Sequence, residues 1–366
     1  MYRPGREQSL RDAVIYMSVG GRQYSDSPRA LHEELVRQGA EDVEHLWVVR
    51  DARCVVPSTA MVLRSGSREY YEAMGRARVV VVNGFLPEWF ARRPDQMVVQ
   101  TLQGAPLKRI GLDVPHLRST MRRSWRWAEQ MANWEFVVSP SRLATPVLRQ
   151  AYGMEGELLE TGLPRNDLLA GPDAAERGAE VRRRLGLAEH TRVVLYAPTY
   201  RDHVVDRRGR YRLDQHLDVQ RVMAALGPGV LLIRKHPLVA DVVETGGHQR
   251  VHDVSAWPDA GELLAAADVL VTDYSALAFD FAITGRPMLF FTYDLDVYRD
   301  DIRGFYIDFE AEAPGPLLRT TDELAQALRA VDGVPGEYTE RYRAWRERFC
   351  ELDDGHASAR LVERLF

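Results

Sequence analysis

The stretch DVLVTDYSALAFDFAITGRPMLFFT (Asp268–Thr292) contains two short apolar runs on either side of a segment with helical character. Asp268–Thr272 and Pro287–Thr292 are rich in β-branched, leucine and aromatic residues, which favours strands, and Ser275–Thr284 between them favours a helix. Strands that alternate with helices in this way predict a parallel sheet whose two faces are covered by helices.

The same alternation extends over nearly the whole chain, in two series that are separated by a segment after Leu169 without strand character. The first series predicts strands at Ala13–Val19, Leu46–Val49, Val79–Val82, Met97–Gln103, Phe136–Ser139 and Leu158–Thr161. The second series adds strands at Arg192–Ala197 and Val230–Lys235. We therefore predict an α/β fold with two doubly wound, Rossmann-like parallel-sheet domains that face a cleft. The predicted divisions are 1–183, 184–336 and a helical tail, 337–366, that packs back toward the first domain.

The overall composition is that of a soluble globular protein, with 366 residues of which 45% are hydrophobic and 28% charged. This excludes a largely disordered chain, a collagen-like chain and a coiled coil. No apolar run approaches the ~20 residues of a spanning helix, and the first residues lack the apolar centre of a secretory signal. We expect a cytoplasmic protein, peripheral on the inner face of the membrane. Two cysteines make neither a disulfide framework nor a zinc site, and a net charge of −5 argues against nucleic acid as a partner.

Charge is unevenly distributed along the chain. Residues 105–126 contain six basic side chains and one acid, whereas residues 294–312 contain seven acids and two arginines. In a helix predicted near Arg118–Met131, one face would carry Arg118, Arg122, Trp125 and Arg126. Arginines beside an indole suit an anionic membrane surface, although the run could equally be a solvated face, with Trp127 and Met131 packed in the core.

Polar loops follow five of the predicted strands, at the edge where the ligands of such sheets bind. One loop is Asp273-Tyr274-Ser275, and a helix that begins at Ser275 would offer unpaired amides to an anion, an ordinary N-cap being the alternative. Another is Arg234-Lys235-His236-Pro237, where three groups that can carry positive charge would suit a diphosphate, unless it is a solvated basic turn. The remaining loops are Pro198–His203, Gly104–Arg109 and Thr161–Asp167. Neither GxGxxG nor GxxxxGK[ST] occurs, which argues against a dinucleotide dehydrogenase and a P-loop enzyme.

Strings in these loops and beyond them resemble the CDP-glycerol glycerophosphotransferase family, the teichoic-acid primases and polymerases. They are GRQYSDSPRAL (Gly21–Leu31), QTLQGAPLKRIGLD (Gln100–Asp113), TGLPRNDLL (Thr161–Leu169), LYAPTYRD (Leu195–Asp202), RKHP (Arg234–Pro237), TDYSALAFDFA (Thr272–Ala282) and RPMLFFTYDLDVYRDDIRGFYIDFEAEAPGP (Arg286–Pro316). The resemblance implies a GT-B-like arrangement, in which residues 1–183 bind the acceptor and residues 184–336 bind the donor, CDP-glycerol. It also implies a lipid-linked or polymeric acceptor at the inner membrane face and a role in making teichoic-acid-like cell-wall polymers.

The reaction that the resemblance implies is attack by an acceptor hydroxyl on the β-phosphorus of CDP-glycerol, with release of CMP. The family pattern places His236 and Ser275 at the diphosphate, and Lys108 would face the acceptor phosphate. Five further residues match donor-side positions: Thr199, Arg201, Arg234, Asp273 and Asp280. We expect neither a metal nor a cofactor, because a diphosphate held by amides and cations needs none.

One loop departs from the family pattern. The family usually has Trp-His-Gly-Thr-Pro-Leu-Lys there, with the His resembling a general base, whereas this chain has LQGAPLK (Leu102–Lys108). Gln103 stands in the place of the His and cannot accept a proton at neutral pH, yet with His236 and Lys108 it is a candidate catalytic residue. Two alternatives therefore remain: a transferase of the same fold for CDP-ribitol or another nucleotide, and a donor-binding pseudoenzyme.

Overall fold

The computed structural model describes residues 5–40, 42–115, 125–213, 216–239 and 241–366, which form two parallel sheets. The first sheet consists of β1 (Arg11–Met17), β2 (Glu44–Val49), β3 (Met61–Arg64), β4 (Ala77–Val82), β5 (Met97–Gln100), β6 (Phe136–Ser139) and β7 (Glu157–Glu160). The second consists of β8 (Val193–Ala197), β9 (Val230–Ile233), β10 (Val251–Asp253), β11 (Val269–Thr272), β12 (Met288–Phe291) and β13 (Leu317–Leu318). The predicted α/β fold with two doubly wound sheets is confirmed.

Helices cover both sheets. The helices of the first half are α1 (Asp26–Arg37), α2 (Arg68–Arg76), α3 (Trp125–Ala132), α4 (Ala144–Tyr152), α5 (Asp167–Ala170) and α6 (Ala174–Arg184). Those of the second half are α7 (Val219–Leu226), α8 (Ala260–Ala266), α9 (Leu277–Ala282), α10 (Leu295–Val297), α11 (Phe309–Glu312), α12 (Thr321–Arg329), α13 (Val334–Glu337), α14 (Thr339–Phe349) and α15 (Ala357–Leu365). No helix in the described ranges has both the length and the apolar character that crossing a bilayer requires.

The order of the strands fixes where a ligand can bind. The first sheet has the order β3-β2-β1-β4-β5-β6-β7, and the second has the order β10-β9-β8-β11-β12-β13. The direction of winding reverses between β1 and β4 in one sheet and between β8 and β11 in the other. Ligands of doubly wound sheets bind beyond the carboxyl ends of the strands at such reversals, so the loops after these four strands are the natural place for a site.

Every predicted strand is present, but three observed strands were not predicted and several predicted ends were too long. The missed strands β3, β10 and β13 have two to four residues, and β3 exposes Met61 (65%) and Val62 (61%) at the sheet edge. The strand predicted as Met97–Gln103 ends at Gln100, because the Gln100 Oε1 atom accepts the Leu102 amide (2.9 Å) and Leu102 turns with a φ of 55°.

The tail helices pack on different parts of the molecule. On α15, Leu361 and Val362 are buried in the cluster that includes Leu31 of α1, on the first sheet. On α14, Trp345 stacks on Phe279 of α9, on the second sheet (ring centroids 4.7 Å apart). The predicted division at residue 183 stays a prediction, and the helix that contains this residue, α6, packs against α8 beside the second sheet.

The segment predicted to touch a membrane lies mostly outside the described residues, which omit 116–124. Two of its neighbouring tryptophans are part of the first-sheet core. The Trp127 indole donates a hydrogen bond to the Tyr152 carbonyl (3.0 Å), and Trp134 is buried with Met131. These two indoles therefore stabilise the fold, and the core alternative is the correct one for Trp127 and Met131.

Candidate active site

A cleft of about 860 Å³ lies between the carboxyl edges of the two sheets. Its walls are the loops after β1, β4 and β5 on one side, the first-sheet half, and the loops after β8, β9 and β11 on the other, the second-sheet half. This volume is typical of sites for small ligands and nucleotides. The predicted site residues that line it are Gln103, Lys108, Thr199, Arg234, His236, Ser275 and Asp280.

Backbone strain is concentrated in this cleft. Among the described residues, the non-glycine residues with a left-handed φ are Val19 (48°), Asp26 (63°) and Leu102 (55°), and all of them line it. Such a conformation costs about 1–3 kcal/mol per residue and is found mainly at functional sites. Side chains stabilise it: Asn83 Oδ1 accepts the Val19 amide (2.9 Å), and Asp26 Oδ1 accepts the Ser27 amide (2.6 Å). Sequence reasoning missed Val19 and Asn83, because the φ values are not visible in residue types.

Gly104 brings the two halves of the cleft into contact. Its φ is 129°, and a Cβ atom at this position would lie 2.6 Å from Arg165 Nη2 and 2.7 Å from the Ala276 Cβ atom. The turn therefore requires glycine, and it holds the exposed side chain of Gln103 in the cleft. Further along, the Arg109 amide donates to the Gly304 carbonyl (3.0 Å), which fixes the same loop to the second-sheet half.

Arg165 forms ion pairs across the cleft floor. Its guanidinium lies 3.1 Å from the Asp26 carboxylate, on the first-sheet half, and 2.6 Å from the Asp280 carboxylate, on the second. Burial raises the pKa of Asp280, and the cation of Arg165 opposes that shift. Asp280 therefore lines the cleft as the partner of Arg165.

His236 is a neutral hydrogen-bond donor in this site. Burial, and then the charges of Lys108 and Arg234, lower its pKa to about 3. Its Nδ1 atom accepts the Leu238 amide (3.2 Å), so the proton resides on Nε2. The predicted place of this loop at a diphosphate is untested, and burial beside two cations disfavours a positive charge on the His236 imidazole.

The two cations of the same loop bind backbone carbonyls. Arg234 donates to the Trp257 carbonyl (2.6 Å), and the Lys235 ammonium donates to the Val239 carbonyl (2.9 Å). Arg234 is buried and lines the cleft, which is compatible with the predicted role of this residue on the donor side. Its Nη1 group, however, is used to hold the loop after β10.

Lys108 extends from the first-sheet loop toward the second-sheet half. Its ammonium lies 5.7 Å from the centroid of the Tyr200 ring, within range of a cation–π contact. Burial, and then the nearby Arg303, lower its pKa to about 8. The expected contact of Lys108 with an acceptor phosphate stays a prediction, whereas its observed neighbours Tyr200 and Arg303 belong to the half predicted to bind the donor.

Arg201 and Asp273 lie behind the cleft wall and do not line it. Arg201 is 1% exposed and forms ion pairs with Asp273 (2.8 Å) and Asp294 (2.7 Å). Both carboxylate oxygens of Asp273 accept the Thr199 amide (2.9 and 3.1 Å). Their predicted contact with the donor is untested, and the geometry gives them the task of holding Thr199 and the loop after β8 in place.

Ser275 lies in the cleft, but the helix that follows is shorter than predicted. The helix α9 spans six residues from Leu277, with Ala276 as its N-cap. The Ser275 hydroxyl oxygen accepts the Leu277 amide (3.3 Å), which leaves the hydroxyl proton free for a ligand in the cleft. The ordinary capping role and a binding role are therefore both available to this side chain. Among the described residues no cluster of His, Cys, Asp and Glu is arranged to hold a metal.

Two doubly wound sheets with a ligand-sized cleft between their reversal points define a GT-B-like protein, as predicted. Residues 3–366 match the family described as CDP-Glycerol:Poly(glycerophosphate) glycerophosphotransferase. The chain belongs to this family.

Individual relatives agree with this membership. The chain is 34% identical over 364 residues to a teichoic acid poly(glycerol phosphate) polymerase of Bacillus subtilis, covering 97% of this chain and 49% of the relative. It is 33% identical to a teichoic acid glycerol-phosphate transferase of Staphylococcus aureus, covering 97% of this chain and 93% of the relative. A histidine variant of the wall teichoic acid polymerase TagF, soaked with CDPG, superimposes with a TM-score of 0.88 at 31% identity, covering 99% of this chain and 91% of that one. The chain thus spans about half the length of the first relative and nearly all of the second.

Replacing Arg201 with methionine is expected to destabilise the protein. The change leaves Asp273 and Asp294 without their cation, and breaking a buried ion pair in this way costs about 3–5 kcal/mol. Urea denaturation followed by circular dichroism measures the loss. Arg192→Met is the matched control, because it breaks an exposed pair with Asp332 and should cost about 1 kcal/mol or less. Equal stability of the two variants would contradict the assignment.

Proposed function

We propose that this chain transfers glycerol phosphate from CDP-glycerol to a hydroxyl group of a glycerophosphate or glycan acceptor and releases CMP, in the synthesis of a teichoic-acid-like polymer. The observation that carries the proposal is the family match over residues 3–366, on a chain whose matching motifs converge on one cleft. The CDP-ribitol and pseudoenzyme alternatives are not favoured, because the family description and the relatives reported above are named for glycerol phosphate transfer.

The proposed chemistry is a direct displacement at phosphorus. A bond forms between the acceptor oxygen and the β-phosphorus of CDP-glycerol, the bond from that phosphorus to the bridging oxygen breaks, and CMP leaves with the electron pair. The acceptor hydroxyl gives up its proton to the phosphate of the departing CMP or to water, so that atoms and charge balance. Negative charge accumulates on the transferred and departing phosphates, so catalysis depends on donors and cations already in position.

Three side chains are suited to receive that charge. His236 presents its Nε2–H, Ser275 retains a hydroxyl proton, and Lys108 carries a positive charge below its pKa of about 8. The neutral imidazole of His236 already has a proton on Nε2, so it can donate a hydrogen bond to a phosphate oxygen without a change of protonation state. Thr199 and Arg234 complete the second-sheet wall, and Asp280 acts on the site through Arg165. We propose no metal or cofactor in this reaction.

Acceptor-dependent release of CMP tests the proposed function. The wild-type protein should release CMP from CDP-glycerol only when a glycerophosphate-terminated acceptor is present. His236→Ala removes one donor to the transition state and should lower kcat by about 10²–10³-fold. His190→Ala, an exposed histidine outside the cleft, should retain wild-type activity. Unchanged turnover in His236→Ala would remove His236 from the mechanism, and no CMP release by the wild type would overturn the function.

Gln103 is proposed to face the acceptor hydroxyl. Its carbonyl oxygen can accept the hydroxyl hydrogen bond and orient the attack, but it cannot hold the proton. Replacing it with histidine restores a general base, a group that typically contributes about 10²–10⁴-fold. We therefore expect Gln103→His to raise kcat with a glycerophosphate acceptor, while Gln38→His, on an exposed helix end, leaves it unchanged. A fall in kcat for Gln103→His would show that the amide itself is required.

Contact with an anionic membrane surface at the inner face of the cell membrane is also proposed. It is supported by the basic residues between Arg118 and Arg126 in the sequence and by the exposed ring of Phe85 (56%), which lies against Trp127 (centroids 5.8 Å apart). Arginines near an anionic surface contribute about 1 kcal/mol each. Co-sedimentation with anionic liposomes that weakens with salt is the expected result, and equal binding to neutral liposomes, or none at all, would contradict it.

A further inference from the structure

Two arginines in the first-sheet half of the cleft have no role in the chemistry described so far. Arg22 follows β1 and Arg50 follows β2, and both line the cleft with exposed side chains. The strands β1 and β2 are parallel neighbours in the sheet. The two arginines therefore start from adjacent points on the same edge of the sheet.

The backbone of the loop after β1, which carries Arg22, packs closely against the backbone at Arg50. The Arg50 amide donates to the Gly21 carbonyl (2.6 Å), so the loop that carries Arg22 rests on the residue that carries the other guanidinium. Gly21 has a φ of 81°, and a Cβ atom there would lie 3.2 Å from the Val48 carbonyl oxygen and 3.3 Å from the Arg50 nitrogen. Glycine is thus required for the two loops to lie together.

Neither guanidinium is fixed by a carboxylate of the described residues, although Arg22 lies near enough to Asp51 to add to the effect of Arg53 in lowering the pKa of that carboxyl. Within the described ranges, Arg22 and Arg50 form no ion pair, although acids are close in the chain. Asp51 pairs with Arg53 (2.5 Å), and Asp26 pairs with Arg165 (3.1 Å). Arg29 and Arg165, which lie near the same cleft, each pair with carboxylates at 2.6 Å. Unpaired arginines in a cleft are suited to bind phosphate, because the guanidinium offers two parallel donors to its oxygens.

We propose that Arg22 and Arg50 bind a phosphate of the acceptor, behind the hydroxyl group that attacks the donor. This inference rests on the proposed function and adds to it the place of the acceptor. The cleft wall continues from these arginines past Asn83 and Gly84 to Gln103, so an extended acceptor can reach the reacting position along the first-sheet half. A glycerol phosphate chain carries one negative charge per unit, which matches a site whose two exposed arginines form no ion pair within the described residues.

The test compares acceptor and donor binding in Arg22→Gln, Arg50→Gln and the double variant. Each substitution removes a hydrogen bond to a charged group, so we expect the KM for a soluble glycerol phosphate oligomer to rise about tenfold for each change. The kcat at saturating acceptor and the affinity for CDP should stay at the wild-type values. The rise in KM should shrink at high salt, because exposed charges are screened.

Arg53→Gln is the matched control, since Arg53 lies three residues from Arg50, is paired with Asp51 and does not line the cleft. An unchanged KM in the double variant for both the soluble oligomer and a lipid-linked acceptor, with transfer intact, would overturn the subsite and leave the proposed function standing. If the wild type transfers nothing, calorimetric titration with the oligomer still tests the subsite. Binding by the wild type that is lost in the double variant supports the subsite. Equal binding by the two proteins, or no binding by the wild type, overturns it. Repeating the assay with a lipid-linked acceptor distinguishes the phosphate source, because an effect confined to that acceptor assigns the arginines to the lipid-linked phosphate.

Discussion

The guanidinium of Arg165 connects the two halves of this molecule at the floor of its cleft. It pairs with Asp26 on one side and Asp280 on the other, and the Cα atom of Gly104 lies close against it. The Asp26 carboxylate also accepts the Ser27 amide at the start of α1. The ion pairs therefore position the strained backbone at Asp26 as well as the facing edges of the two sheets. A larger residue at position 104 would clash with Arg165 and Ala276, and it would therefore separate the two halves of the cleft.

The two halves of the cleft differ in the groups that they offer to a negatively charged ligand. The second-sheet half presents the neutral imidazole of His236 beside Arg234 and Lys235, whose charged groups are already hydrogen-bonded to backbone carbonyls, and Lys108 approaches from the opposite side. The first-sheet half presents Arg22 and Arg50, which form no ion pair within the described part of the chain. A diphosphate that must leave as CMP is well served by donors that do not bind it too tightly, whereas an acceptor that is to be retained gains from full charges.

The sequence was sufficient to predict ten of the thirteen described strands and the cleft, because apolar runs and strand-end loops are local patterns. The three others were missed, because β10 and β13 are too short to give such a pattern and β3 lies at an exposed sheet edge. Predicted residues such as Gln103 and His236 do meet in one cleft, since parallel strands bring their carboxyl ends to one edge. The charge of His236 was not predictable, because it depends on burial beside Lys108, which lies far away in the chain. Likewise, Arg201 matched a motif, but only its contacts with Asp273 and Asp294 reveal a position behind the wall.

A crystal structure of this protein with CDP-glycerol would test most directly whether the second-sheet half binds the donor diphosphate at His236 and Ser275. We expect a phosphate oxygen within hydrogen-bonding distance of His236 Nε2 and of the Ser275 hydroxyl, with the Lys108 ammonium approaching from the first-sheet loop. We also expect that His236 Nδ1 still accepts the Leu238 amide. A diphosphate bound instead at Arg22 and Arg50, or away from both His236 and Ser275, would contradict this placement.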